Sequence, residues 1–179
     1  MTIPPHEAAQ ALAAVERTQS RSATLRGYRG AAPHLILWGI LWAIGYGLTD
    51  IFPARAGAVW TVIVLVGTSA SLAGFLRQSR VEAGRYLTVT IALAAFCLAT
   101  FAVFKPADPR PIAAFIPLLI ATAYVIGGLW LGARFVVAGL AVAALTLAGF
   151  FLLPAHFLLW MAGIGGGALV LTGLWLRRA

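Results

Sequence analysis

From about Pro33 to Leu176 the chain runs as six apolar stretches, with polar, charged and proline residues gathered between them. The stretches cover about 34–52, 56–76, 86–104, 111–131, 135–153 and 155–176. Each is close to the roughly 20 residues a helix needs to cross a bilayer core. The breaks are Phe52-Pro53-Ala54-Arg55, the polar run Arg77 to Arg85, Lys105 to Arg110, Gly132-Ala133-Arg134, and Pro154-Ala155-His156. Proline ends the hydrogen-bond ladder of a helix and charge resists burial, so the two together stop a membrane span. Pro154 alone marks the fifth break, but a single helix over 135–176 would be too long for an ordinary bilayer. The pattern predicts an all-α polytopic transmembrane bundle of six spans in residues 33–179, preceded by an N-terminal segment, residues 1–32.

That N-terminal segment reads as a short helix from His6 to Arg21, after Pro4-Pro5, with Ala8, Leu12 and Val15 on one stripe and Glu7, Glu16 and Arg17 off it. The expectation is an interfacial or cytoplasmic helix ahead of Pro33, lying on the membrane surface or meeting a cytoplasmic partner. It is polar for too long before the first span to be a cleaved signal peptide.

Composition agrees with the pattern: 61% of residues are hydrophobic and only 10% charged. The net charge of +8 could point to nucleic acid, but its placement argues otherwise. With the N-terminus in the cytoplasm, Arg17, Arg21, Arg26, Arg29, Arg77, Arg80, Arg85, Arg134, Arg177 and Arg178 fall on the cytoplasmic side, against Arg55, Lys105 and Arg110 on the other. Such a bias is the positive-inside signal, and it puts both termini in the cytoplasm. The lipid bilayer is the expected partner and nucleic acid is not. The Ala-rich, nearly Lys-free composition points to a bacterial gene, and so to the inner membrane.

Each pair of spans resembles its neighbours. A span, a proline-bearing turn and a return span ending in arginine recur as three tandem hairpins, and Gly-Leu-Trp-Leu occurs twice, at Gly128 and at Gly173. Small residues gather on two return spans. Gly163 and Gly167 form a small-xxx-small pair around Gly166, and the second span carries Gly67, Thr68, Ser69, Ala70, Ser71 and Gly74. Such faces admit a close helix, either within the bundle or from a second copy or a membrane partner protein.

Chemistry-bearing residues are sparse. No Asp, Glu, Lys or Arg falls within a span core, which disfavours proton coupling through a buried carboxylate. Asp50 and Arg55 flank the first outer turn and are expected to pair. His34 and His156 begin spans on opposite sides of a core about 30 Å thick, so they cannot share a metal or haem. No nucleophile, Walker or paired-carboxylate motif is present, and neither catalysis nor a cofactor or metal is expected. The densest signature is the first span, Trp38 to Gly47, where Trp38 and Trp42 share a face with Gly45 and Tyr46 follows. In the fourth span Pro117 frees the carbonyl of Ala113, with Thr122 and Tyr124 nearby. Trp38, Trp42, Tyr46, Pro117, Thr122 and Tyr124 are the candidate ligand-binding residues.

In size and span count the chain is similar to the small substrate-binding subunits of vitamin-uptake transporters, a likeness of architecture that carries over no residue. The expected function is non-enzymatic binding of an apolar or lipid-like ligand, or of a membrane partner. The alternative is a small-solute transporter or transporter subunit.

Overall fold

A computed structural model describes residues 5–178, and every regular element in them is helical. The chain runs α1 (Pro5–Ile51), a 3-10 turn (Pro53–Arg55), α2 (Ala56–Gln78), α3 (Arg80–Phe104), α4 (Pro109–Leu131) and α5 (Ala133–Leu152). A second 3-10 turn (Pro154–His156) leads to α6 (Phe157–Trp160), a π-helical segment (Met161–Gly165) and α7 (Gly166–Arg177), which together form the last span. Six helical stretches are long and apolar enough to cross a membrane: Gly27–Ile51, Pro53–Arg77, Arg80–Phe104, Pro109–Leu131, Ala133–Leu152 and Pro154–Arg177.

All five breaks fall within the segments that proline, charge or glycine marks. Asp108 caps α4 by accepting the Arg110 backbone N–H at 2.8 Å, with Pro109 in the first turn. The Arg110 guanidinium also binds Asp108, at 2.7 Å, and holds its carboxyl below the usual carboxylate range. This is the only ion pair among the described residues; the expected Asp50–Arg55 pair is absent. Pro53 turns the chain straight after α1, and both side chains stay exposed. Gly132 ends α4 at φ 119, a conformation that side chains rarely adopt. The polar run Arg77 to Arg85 behaves differently. A single residue, Ser79, separates α2 from α3, in extended conformation and accepting the Val81 N–H at 3.2 Å. Residues 80–85 are therefore helix, because one good N-cap suffices to start it.

The break expected ahead of Pro33 is absent. α1 is continuous through Pro33, so the N-terminal helix and the first span are one helix. Pro33 is exposed, so the Arg29 carbonyl that loses its partner lies on an outer face, where solvent or headgroups reach it. At 1.5 Å per residue α1 is about 70 Å long, more than twice a hydrocarbon core. Of the predicted apolar stripe, Val15 is exposed, while the Ala8 and Leu12 side chains lie outside the described residues.

The core lies where α1, α4, α5 and the last span meet, around Leu35, Tyr46, Val142, Phe157, Met161 and Leu169. The closest pairs are α1 with α7 and α4 with α5, while α2 lies against α1 and α3 against α2. α3 reaches α4 through Phe96 and Phe101, whose rings lie 6.2 and 5.5 Å from Phe115. The tightest packing therefore does not follow three tandem hairpins. Glycines decide it. A Cβ on Gly39 would stand 2.7 Å from the Gly166 carbonyl oxygen, and one on Gly166 2.7 Å from that of Gly39. A Cβ on Gly173 would meet the Ala32 carbonyl oxygen at 2.9 Å, and one on Gly139 that of Ala121 at 2.5 Å. Backbones this close gain dispersion contacts that apolar side chains facing lipid do not.

Candidate functional site

The six residues singled out in the sequence do not line one cavity. Trp42 and Tyr46 are buried, with ring centroids 6.0 Å apart and edge to face, and Trp60 lies 4.8 Å from Tyr46 on its other side. The Tyr46 hydroxyl donates to the Ala113 carbonyl at 2.8 Å. That carbonyl is the one Pro117 leaves without an intrahelical partner. An aromatic on α1 thus satisfies the broken rung of α4, and the group is committed to holding two spans together. Thr122 is exposed and bonds back to its own helix at Leu118, 2.9 Å away. Tyr124 is half-buried and packs against Phe135, centroid to centroid 6.2 Å.

The glycines divide as well. Gly166 packs against Gly39 and Ala43, and Gly67 against Trp38 and Leu41. Around Gly74, Gly163 and Gly167 a Cβ would meet nothing within 4 Å, so these three are not contacts of this chain with itself. Gly149, read only as part of an apolar span, carries the indole of Trp160, whose Nε1 donates to the Leu145 carbonyl at 2.9 Å.

Trp38 belongs to a second group, at the end of the bundle where the arginines gather. Its indole N–H donates to the Ser71 hydroxyl at 3.3 Å, and Ser71 also bonds His34 Nδ1 at 2.9 Å. Phe75 and Tyr86 enclose the imidazole, with centroids 5.9 and 5.5 Å away. From sequence alone His34 marks only the start of the first span. The available signal was the i, i+4 spacing of His34 with Trp38 on α1, mirrored by Ser71 with Phe75 on α2.

Two cavities open beside α1 at this end, with Pro33 and Leu37 as their common wall. The larger, about 410 Å³, is bounded by Arg29, Ile36 and Arg177. The smaller, about 90 Å³, lies toward α2 and is lined by His34, Ser71 and Phe75 among others. Neither is lined by an acidic residue.

Arg134 braces the same end. Its guanidinium lies 5.4 Å from the Tyr28 ring centre and 4.9 Å from that of Trp175, and it donates to the Trp175 carbonyl at 3.0 Å. One side chain at the start of α5 therefore ties α1 to α7. Arg134→Ala is expected to cost about 1–2 kcal/mol of stability in detergent and to alter Trp175 emission. Arg134→Lys should recover only part, because an ammonium lacks the planar fork that covers two rings. Equal melting of all three proteins would show that the brace carries no stability.

No protein-family model, curated protein or solved structure matches the chain.

Proposed function

We propose that this chain is a non-enzymatic integral membrane protein that holds an apolar or lipid-like ligand in the cavities beside α1. The observation that carries the reading is the larger cavity: an apolar wall of Pro33, Ile36 and Leu37 beneath two arginines, Arg29 and Arg177. An amphiphile with an acidic head and a hydrocarbon tail complements that arrangement, whereas a polar solute would leave the wall unpaired. Trp42 and Tyr46, buried in the bundle, line neither cavity and hold the spans together instead. The arginine bias favours both termini in the cytoplasm, an orientation in which the cavities open to the cytoplasmic leaflet, and the Ala-rich, nearly Lys-free composition favours a bacterial inner membrane.

Native mass spectrometry of the protein released from mild detergent tests this. A discrete amphiphile is expected to stay bound, with occupancy reduced in a Leu37→Trp variant whose indole fills the shared wall. A bare protein, or occupancy indifferent to Leu37→Trp, would count against the reading. A retained polar solute would replace it with transport, as a carrier or a transporter's binding subunit.

A further inference from the structure

His34 is the one titratable side chain lining the smaller cavity. The Trp38 indole can only donate, and it donates to Ser71. In the rotamer it adopts, the Ser71 hydroxyl has His34 Nδ1 as its second partner. Other hydroxyls of the chain, such as those of Thr61, Thr88 and Thr146, bond back to their own helices; Ser71 does not. Of the two arrangements this bond allows, the one in which Ser71 donates makes Nδ1 the acceptor of a neutral imidazole and puts the ring hydrogen on Nε2. Among the described residues Nε2–H has no hydrogen-bond partner, and it is not sealed in the interior.

The two cavities together offer donors: Arg29 and Arg177 in the larger, and His34 Nε2–H in the smaller. Five residues along α1 separate Arg29 from His34, an axial step of about 7.5 Å. A glycerophospholipid has acceptors at two such levels, its phosphate and, nearer the bilayer centre, the ester carbonyls of its chains. Glu82, the described acidic residue at this end, is exposed at the start of α3 and lines neither cavity.

We infer that the site seats an ester-linked anionic phospholipid, with its phosphate between Arg29 and Arg177 and an ester carbonyl on His34 Nε2–H. The Pro33–Leu37 ridge then lies between its two chains. This rests on the lipid-binding reading above and adds two specificities, for a negative head and for an ester.

The test supplies the full chain in mild detergent with one of three lipids: ester-linked phosphatidylglycerol, its ether-linked counterpart, or ester-linked phosphatidylcholine. Retention is read by native mass spectrometry. Ester phosphatidylglycerol should be retained above both others. Arg29→Gln and Arg177→Gln should each lower its retention about fivefold and narrow its lead over phosphatidylcholine, whose choline cation already offsets part of its phosphate charge between the two arginines. His34→Phe should abolish the ester-over-ether difference while keeping the preference for the anionic head. In that variant the Ser71 hydroxyl can turn to a carbonyl of its own helix, so folding does not depend on the imidazole. The wild-type comparison of ester with ether lipid needs no variant at all. Equal retention of those two, or of phosphatidylglycerol and phosphatidylcholine, overturns the inference but leaves lipid binding standing. Retention of no lipid takes both down.

Discussion

Leucine at Gly166 is expected to lower the melting temperature in mild detergent by roughly 10 °C, a loss of about 3 kcal/mol. The Cβ alone would press to 2.7 Å from the Gly39 carbonyl oxygen and to 3.0 Å from the Ala43 nitrogen. Both are backbone atoms, which no rotamer change can move aside. The higher helix propensity of leucine returns at most about 1 kcal/mol, so the clash decides the sign. Gly163 supplies the control. It lies three residues away in the same span, and a Cβ there meets nothing. Gly163→Leu should therefore shift stability by no more than about 0.5 kcal/mol. If both variants melt together with the wild type, the close approach of α1 and α7 is not what holds the bundle.

The second large effect is a coupling rather than a single loss. Tyr46→Phe keeps the ring beside Trp42 and Trp60 but strips the hydrogen bond from the Ala113 carbonyl, leaving a half-buried acceptor with no partner. Hydrogen bonds between membrane helices average only about 0.6 kcal/mol, because a freed donor finds another acceptor. Here the group left behind is a carbonyl whose own helix cannot supply a donor, so a cost of about 2 kcal/mol is expected. Pro117→Ala restores an N–H at position 117, which can return to Ala113. In that background Tyr46→Phe should cost about 1 kcal/mol less than in the wild type. A double-mutant cycle by thermal or denaturant unfolding in detergent reads the difference. Equal costs in both backgrounds would mean that Tyr46 acts through its ring alone.

These two cases also mark where sequence reasoning reaches. That Pro117 orphans the Ala113 carbonyl follows from chain chemistry, and that Tyr46 lies on an aromatic face follows from periodicity. Their pairing across 67 positions does not, because nothing local says which span faces which. The glycines behave alike. Gly166 stands out within a run of three, whereas Gly39, Gly139 and Gly149 look like ordinary span residues until the partner backbone or indole is placed against them. Breaks were legible wherever proline or glycine made them, at Pro53, Pro109, Gly132 and Pro154. In the polar run Arg77 to Arg85 the break was legible but its brevity was not, since arginine and glutamate are good helix formers and only Ser79 leaves the helix. The continuity of α1 through Pro33 was missed for a related reason. A proline on an exposed face weakens one rung without stopping the helix.

The π-helical segment Met161–Gly165 holds one residue more per turn than the α-helix on either side. Phe157, Met161, Gly165, Gly166, Leu169, Gly173 and Leu176 are all buried, yet the spacing across the segment is one residue too long for a regular apolar stripe. Omit the exposed Ile164 and the same seven residues fall at i, i+4, i+7, i+8, i+11, i+15 and i+18, an unbroken α-helical face. The sixth span thus accommodates one extra residue, bulged outward at Ile164, and keeps both the seat of Trp160 on Gly149 and its glycine contact with α1. A homologue one residue shorter at this point would present the same surface to the rest of the bundle.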